Sequence, residues 1–205
     1  DATDHNPEDP DLAASYESLS NAVLGQYQEM KDAGINVIFS EEDPYSSSAD
    51  MSADVTNNNT LKAFADGGAT LPDDHPFKRS VDVDGVQLTV NDVFRAVHDY
   101  FGHVKSADRG AVVGFGPKGE WEAWRTHRLT LPRDSWQALW TETRGQNAWT
   151  NYNGDNNLLP IPDRPFAEQK SVPSPEEIWA ADLIGTEPEV PEEPEAPEAA
   201  ESETP

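Results

Sequence analysis

The sequence predicts a mainly helical α+β fold, and three observations carry that prediction. Apolar residues recur at steps of three and four over several stretches, and short β-branched runs bounded by glycine and proline stand between them. With 205 residues, 36% of them apolar, and six tryptophans, the chain can bury one core of ordinary domain size. The expected organisation is a flexible acidic lead over residues 1–10, a single globular domain over 11–185 with a small sheet, and a disordered Glu/Pro/Ala tail over 186–205.

Taken in order, the first helix starts near Asp11. Leu12, Tyr16, Leu19, Val23, Tyr27 and Met30 form one apolar face, and Gly34 is placed to end it in a left-handed cap. Ile35 to Phe39 reads as a strand, and Glu41 to Tyr45 breaks it with a proline. A weaker helix over Ser47 to Asn57 and a strand over Leu61 to Phe64 complete a β-α-β unit. Gly67 to Phe77 is loop. Val81 and Val83 alternate into Asp84-Gly85 and Val86 and Leu88 alternate out of it, which predicts a hairpin.

Asn91 or Thr89 then caps a helix with Phe94, Val97, His98 and Phe101 on one face. Residues five apart on an ideal helix stand about 140° from each other. An end or bend at Gly102 is therefore expected to bring His103 back toward His98. Lys105 to Lys118 reads as a glycine-containing loop, and a third helix over Gly119 to Leu129 puts Glu120, Trp124 and His127 on one stripe. Beyond Pro132, Trp136, Leu139, Trp140 and Thr143 mark the core face of a fourth helix, with Glu142 at least half buried. Asn151 to Pro165 is a long loop. Ser174, Pro175 and Glu177 make a capping box for a last helix over Pro175 to Ile184.

Composition excludes several functions. With no cysteine, any metal site must use His, Asp and Glu. A formal charge of −25 argues against direct binding to a phosphate backbone. The tail from Glu187 holds eight of the 39 acids, so the body is acidic as well. Acidity of this kind could mimic nucleic acid to a basic partner, but the acids are spread through loops. No apolar run approaches the roughly 18 residues that span a bilayer, and the N-terminus lacks the basic and apolar regions of a signal peptide. The expectation is neither a membrane nor a signal-directed secreted protein. P-loop, GxGxxG, GxSxG and HExxH patterns are absent.

The chemistry-bearing residues gather between Asn91 and Asn147. His98, His103 and Glu142 would give an ion two neutral imidazoles and one carboxylate on one side, leaving positions open for water, oxygen or substrate. His127, Asp99 and Glu120 stand near enough in pattern to serve as acid–base groups or, for Glu120 and His127, to complete a second ion position. Arg144, Gln146 and Asn147 suit recognition of a carboxylate or phosphate. A structural reading competes: His98 as a core histidine, His103 as a helix C-terminal cation, and Glu142 as a salt-bridge partner of Arg95 or Arg144. His5 and His75 lie in lead and loop and attract no role.

Two resemblances add to this. His98 to Val104, with two histidines five apart around two apolar residues and a glycine, resembles the iron motif of the aromatic amino acid hydroxylases. Trp140 to Gly145 is similar to the context of that family's later glutamate. By that resemblance His98, His103 and Glu142 are iron ligands. Over roughly Tyr16 to Lys170 the chain resembles a family of uncharacterised proteins encoded by tailed bacteriophages, mostly of actinobacteria. The segments EEDPY, NDVFRAVHDYFGH, FGPKGEWEAWRTH, TETRGQN and FAEQK carry it. Trp121 stands where those relatives tend to have an acid. The resemblance implies a viral origin, a place in the host cytoplasm or the virion, and association with phage head or virion proteins.

The expected function is thus a phage-encoded metal-dependent enzyme that oxidises or hydrolyses its substrate, with Fe(II) preferred and Zn(II) or Mn(II) as alternatives. Its rival is a non-enzymatic virion component in which the same residues form a buried polar network. An open pocket at the ligands favours the first, and full satisfaction of every polar atom favours the second.

Overall fold

In the computed structural model the described residues are 4–179, except 109, 111–113, 161–162 and 166. The tail over 186–205 and the last helix beyond Trp179 lie outside them. Among the described residues the fold is mainly helical α+β, with two sheets of two strands each.

Helix α1, Pro10–Asp32, begins where the Asp9 carboxylate accepts from the Leu12 amide at 3.0 Å, and it buries all six residues of the predicted apolar face. Its last turn closes over Gly34, which adopts φ +83°. The residues before it are tied down: the Asn6 amide donates to the Ser171 carbonyl at 2.9 Å, and the Ser171 amide donates to Nδ1 of His5 at 3.0 Å.

Strand β1, Asn36–Ser40, helix α2, Ser48–Asn58, and strand β2, Thr60–Phe64, form the expected β-α-β unit, with parallel register Val37 to Leu61 and Phe39 to Ala63. Strands β3, Ser80–Val83, and β4, Val86–Thr89, pair antiparallel across Asp84 and Gly85, both at positive φ as a tight two-residue hairpin turn requires.

Thr89, not Asn91, caps helix α3, Val90–His98, in a reciprocal capping box with Asp92. The chain then departs from expectation. Gly102 does not end the helix, which widens into a π-helical segment over Asp99–Val104 and continues as α4, Lys105–Asp108. The Lys105 amide reaches back five residues to the Tyr100 carbonyl, the bond that defines a π turn. Helix α5, Pro117–Arg128, starts with proline in its first turn and packs on this segment. Helices α6, Trp136–Trp140, and α7, Gln146–Tyr152, are joined without a break by a second π-helical segment, Thr141–Gly145. The described part of the last helix is α8, Glu176–Trp179.

The core is one cluster in which α1 lies on α3 and α6, with Phe77, Trp124, Met51 and Leu61 filling the space between helices and sheet. No helix among the described residues is long and apolar enough to cross a membrane.

Candidate metal centre

Helix α3 and its π-helical extension set the first two ligand-capable groups. A π turn carries residues five apart to nearly the same side of the axis, so His98 and His103 meet with ring centroids 5.3 Å apart. Gly102 permits the arrangement, since a Cβ there would come within 3.1 Å of His98 Cε1 and 3.2 Å of the Ala123 carbonyl oxygen. That close crossing delivers α5, and with it Glu120. Glu120 Oε1 lies 3.3 Å from His103 Nε2, and Oε2 lies 3.7 Å from His98 Nε2. One atom from each of the three falls within 4.8 Å of the others, and this is the one group of three or more His, Asp or Glu among the described residues that could hold an ion. Gly119 helps to seat Glu120, because any side chain there would collide with the Gly114 backbone laid over the first turn of α5.

Glu142, expected as the third ligand, belongs to a different cluster. The Tyr16 hydroxyl donates to its Oε1, Gln146 Nε2 donates to its Oε2 at 3.0 Å, and His75 Nε2 lies 3.2 Å from Oε1. The cause is helical register: the second π-helical segment turns Glu142 toward α1 and the 75–77 turn, while α5 fills the space beside His103. Burial together with the Glu142 charge raises the Tyr16 hydroxyl well above its usual range.

His127 stands behind the centre and is wholly buried. Its Nδ1 is 3.1 Å from Nδ1 of His98, and its Nε2 is 3.0 Å from Gln26 Oε1. Burial, with the neighbouring imidazoles, holds His127 well below its ordinary range, and burial also lowers His98 against the opposing pull of Glu120. Burial works against charge on His103 and Glu120 too, but their attraction across 3.3 Å prevails, raising His103 and lowering Glu120 to about 2. Asp99 is pushed up to about 7, chiefly by burial.

A cavity of about 750 Å³ reaches this cluster. His98, Asp99 and Glu120 line it together with Glu142, Gln146 and Asn147, and Phe64, Phe94 and Phe115 give it apolar surface. Arg144, the expected anion-binding residue, is not among its lining residues. The guanidinium donates to the Pro117 carbonyl at 3.2 Å and stacks on Trp121. His98 Nε2, Asn91 Nδ2 and Asn147 Oδ1 are buried with no hydrogen-bond partner.

Comparison of the chain with family models, with curated proteins and with solved structures gives no match. The chemistry must therefore be read from the atoms themselves. Two imidazoles and a carboxylate are the donor set of a nitrogen- and oxygen-bound dication, and a buried imidazole nitrogen without a partner is what such an ion would satisfy. The residues fit a metal.

Sequence reasoning passed over Gln26 and His75. Gln26 had a signal: it continues the spacing Leu12, Tyr16, Leu19, Val23 toward Met30, a polar side chain in a core position. His75, between acids and a proline in a loop, had none.

Proposed function

We propose that the protein is a metal-dependent enzyme of phage origin, in which His98, His103 and Glu120 hold the ion and the adjoining cavity takes a small molecule or a side chain of a larger one. The observation that carries this reading is the bare, buried Nε2 of His98 facing the Glu120 carboxylate at the edge of a cavity. Such an atom is not by itself a mark of a ligand site, since Trp121 Nε1 and Trp124 Nε1 are buried without a hydrogen-bond partner too; what favours an ion here is that the imidazole nitrogen faces a carboxylate and a second imidazole beside open space. Fe(II), preferred for this donor set, supplies oxidation with O2, whereas Zn(II) or Mn(II) in its place supplies hydrolysis.

The protein side chains bind and orient. Asp99, with its carboxyl raised to about 7, can hold or release a proton beside the ligands near neutral pH. Gln146 and Asn147 offer amide groups to a polar substrate, and the phenylalanines offer it an apolar face. The cavity also holds Arg164, which donates to Asn151 and the Leu159 carbonyl, and Arg95, which lies over the Phe64 ring and 3.5 Å from Asp66 with its Nη1 making no hydrogen bond.

A virion structural role is the second reading, and association with phage head proteins would go with it. The Glu142 cluster favours it, because that carboxylate ties α1 to the second π-helical segment with its oxygens supplied with donors. Elemental mass spectrometry of protein purified without chelator tests the two. Near-stoichiometric iron, zinc or manganese that disappears in His98→Ala, His103→Ala and Glu120→Ala, but persists in Glu142→Ala, supports the enzyme. Folded wild-type protein that takes up no metal, even after anaerobic addition of Fe(II), leaves the structural role.

A further inference from the structure

The polar chain behind His98 has a direction, and it follows from how the Thr130 hydroxyl and the Gln26 amide are oriented. The Thr130 hydroxyl donates to the His127 carbonyl at 2.7 Å, so toward Gln26 it accepts, and the group 2.8 Å away is the Gln26 amide nitrogen. The Gln26 carbonyl oxygen is thereby turned to His127 Nε2, at 3.0 Å. A carbonyl only accepts, so His127 carries its hydrogen on Nε2. Among the described residues no carboxylate approaches either ring nitrogen of His127, and a buried imidazolium so placed would be costly. Its Nδ1 is therefore a lone pair, and His98 Nδ1, 3.1 Å away, must donate. That leaves His98 Nε2 bare, buried and aimed at Glu120 Oε2 at 3.7 Å. Two acceptors face each other, which a cation between them would reconcile.

We propose that Gln26 and His127 are positioning residues for the ion: they keep the hydrogen of His98 on Nδ1, present Nε2 as a ligand, and so make this a site for a nitrogen-preferring dication such as Fe(II), Co(II) or Zn(II) rather than Mg2+ or Ca2+. The inference rests on the metal-site reading above and adds its selectivity and the residues that set it. A hydrogen-bonded partner behind a ligating histidine fixes its tautomer, and loss of such a partner typically costs about 10–100-fold in metal affinity. Without the Gln26 carbonyl, His127 is free to place its hydrogen on Nδ1. His98 would then carry its own on Nε2, where it blocks the ion.

Co(II) added to the full chain under nitrogen is the probe, because its visible absorption reports the ligand set while calorimetry reports affinity. Wild type is expected to bind one equivalent, and millimolar Mg2+ is expected not to displace it. Gln26→Leu should bind about 10–100-fold more weakly, and Gln26→Glu, which restores an acceptor at the same place, should recover wild-type affinity or exceed it. Thr130→Val, at an exposed position, should weaken binding in the same direction by a smaller factor, and it keeps the test decisive if Gln26→Leu does not fold. Unchanged affinity and spectrum in Gln26→Leu or, should that variant not fold, in Thr130→Val overturn the inference alone, as does a Gln26→Glu as weak as the leucine variant. Displacement of Co(II) by Mg2+ overturns the selectivity. Failure of the wild type to bind Co(II) at all overturns the metal reading with it.

Discussion

The two π-helical segments bordering the cavity are the same local device finished in opposite ways. Each carries a glycine, Gly102 in one and Gly145 in the other, and each sets a cavity-lining or ligand-capable side chain at an irregular angle. In Asp99–Val104 the widened turn sets His103 edge-on to His98 and leaves His98 Nε2 and His103 Nδ1 without hydrogen-bond partners. In Thr141–Gly145 it sends Glu142 to two donors, the Tyr16 hydroxyl and the Gln146 amide, with His75 Nε2 3.2 Å away but making no hydrogen bond. Insertions of this kind often mark functional sites, and the contrast shows why location alone is not enough. What separates the two is the carboxylate: both oxygens of Glu142 accept from a hydroxyl or an amide, whereas Glu120 meets only imidazole nitrogens among the described residues.

The largest effect should come from breaking the completed side. Glu142→Ala removes the common acceptor of the Tyr16 hydroxyl and the Gln146 amide in a buried place, and a cost of about 3 kcal/mol in unfolding free energy is expected. Glu120→Ala in metal-free protein should cost only about 1 kcal/mol, since Glu120 faces the cavity and is held by imidazoles alone. Urea unfolding of the two variants measures the difference. A larger loss from Glu120 than from Glu142 would mean that the roles of the two carboxylates are reversed.

The next effect sharpens the unfinished side. An ion that binds only the folded chain stabilises it by about 2.7 kcal/mol at a concentration one hundred times its Kd. Thermal unfolding with added Zn(II) or Co(II) should rise accordingly in the wild type and in a folded Glu142→Gln variant, and stay flat in Glu120→Ala and His103→Ala. An equal rise in Glu120→Ala would remove Glu120 from the ligand set.

Much of this was legible in the chain because it rests on local pattern. The apolar face of α1, the Asp84-Gly85 hairpin and the helix through His98 each follow from spacing and turn chemistry, whereas the approach of His103 to His98, expected from an end or bend at Gly102, is made by a π turn instead. The π-helical segments were not legible, since an apolar period of 3.6 presumes the α turn that they break. The exchange of Glu142 for Glu120 has the same root. Both carboxylates sit on helices near the histidines in pattern, but the second π-helical segment turns Glu142 toward Tyr16 while the close crossing of α5 at Gly102 brings Glu120 in. Gln26 could have been found, as a polar residue in a core position of α1, and its partner His127 was already singled out on the α5 stripe.

That crossing can itself be tested at the two glycines, where the smallest difference is expected. A Cβ on Gly102 meets the Ala123 carbonyl oxygen and Cβ at 3.2 Å and His98 Cε1 at 3.1 Å, two of them fixed to the α5 backbone. A Cβ on Gly145 meets Cζ3 of Trp140 at 3.1 Å, on a side chain that can tilt away. Gly102→Ala is therefore expected to cost about 2 kcal/mol and Gly145→Ala about 1 kcal/mol, both by denaturant unfolding. The ion separates them further. Pushing α5 off the first π-helical segment carries Glu120 away from the histidines, so Gly102→Ala should lose Co(II) binding while Gly145→Ala retains it. Equal binding by both variants would show that the ligand set tolerates a looser crossing, and that Gly102 serves packing alone.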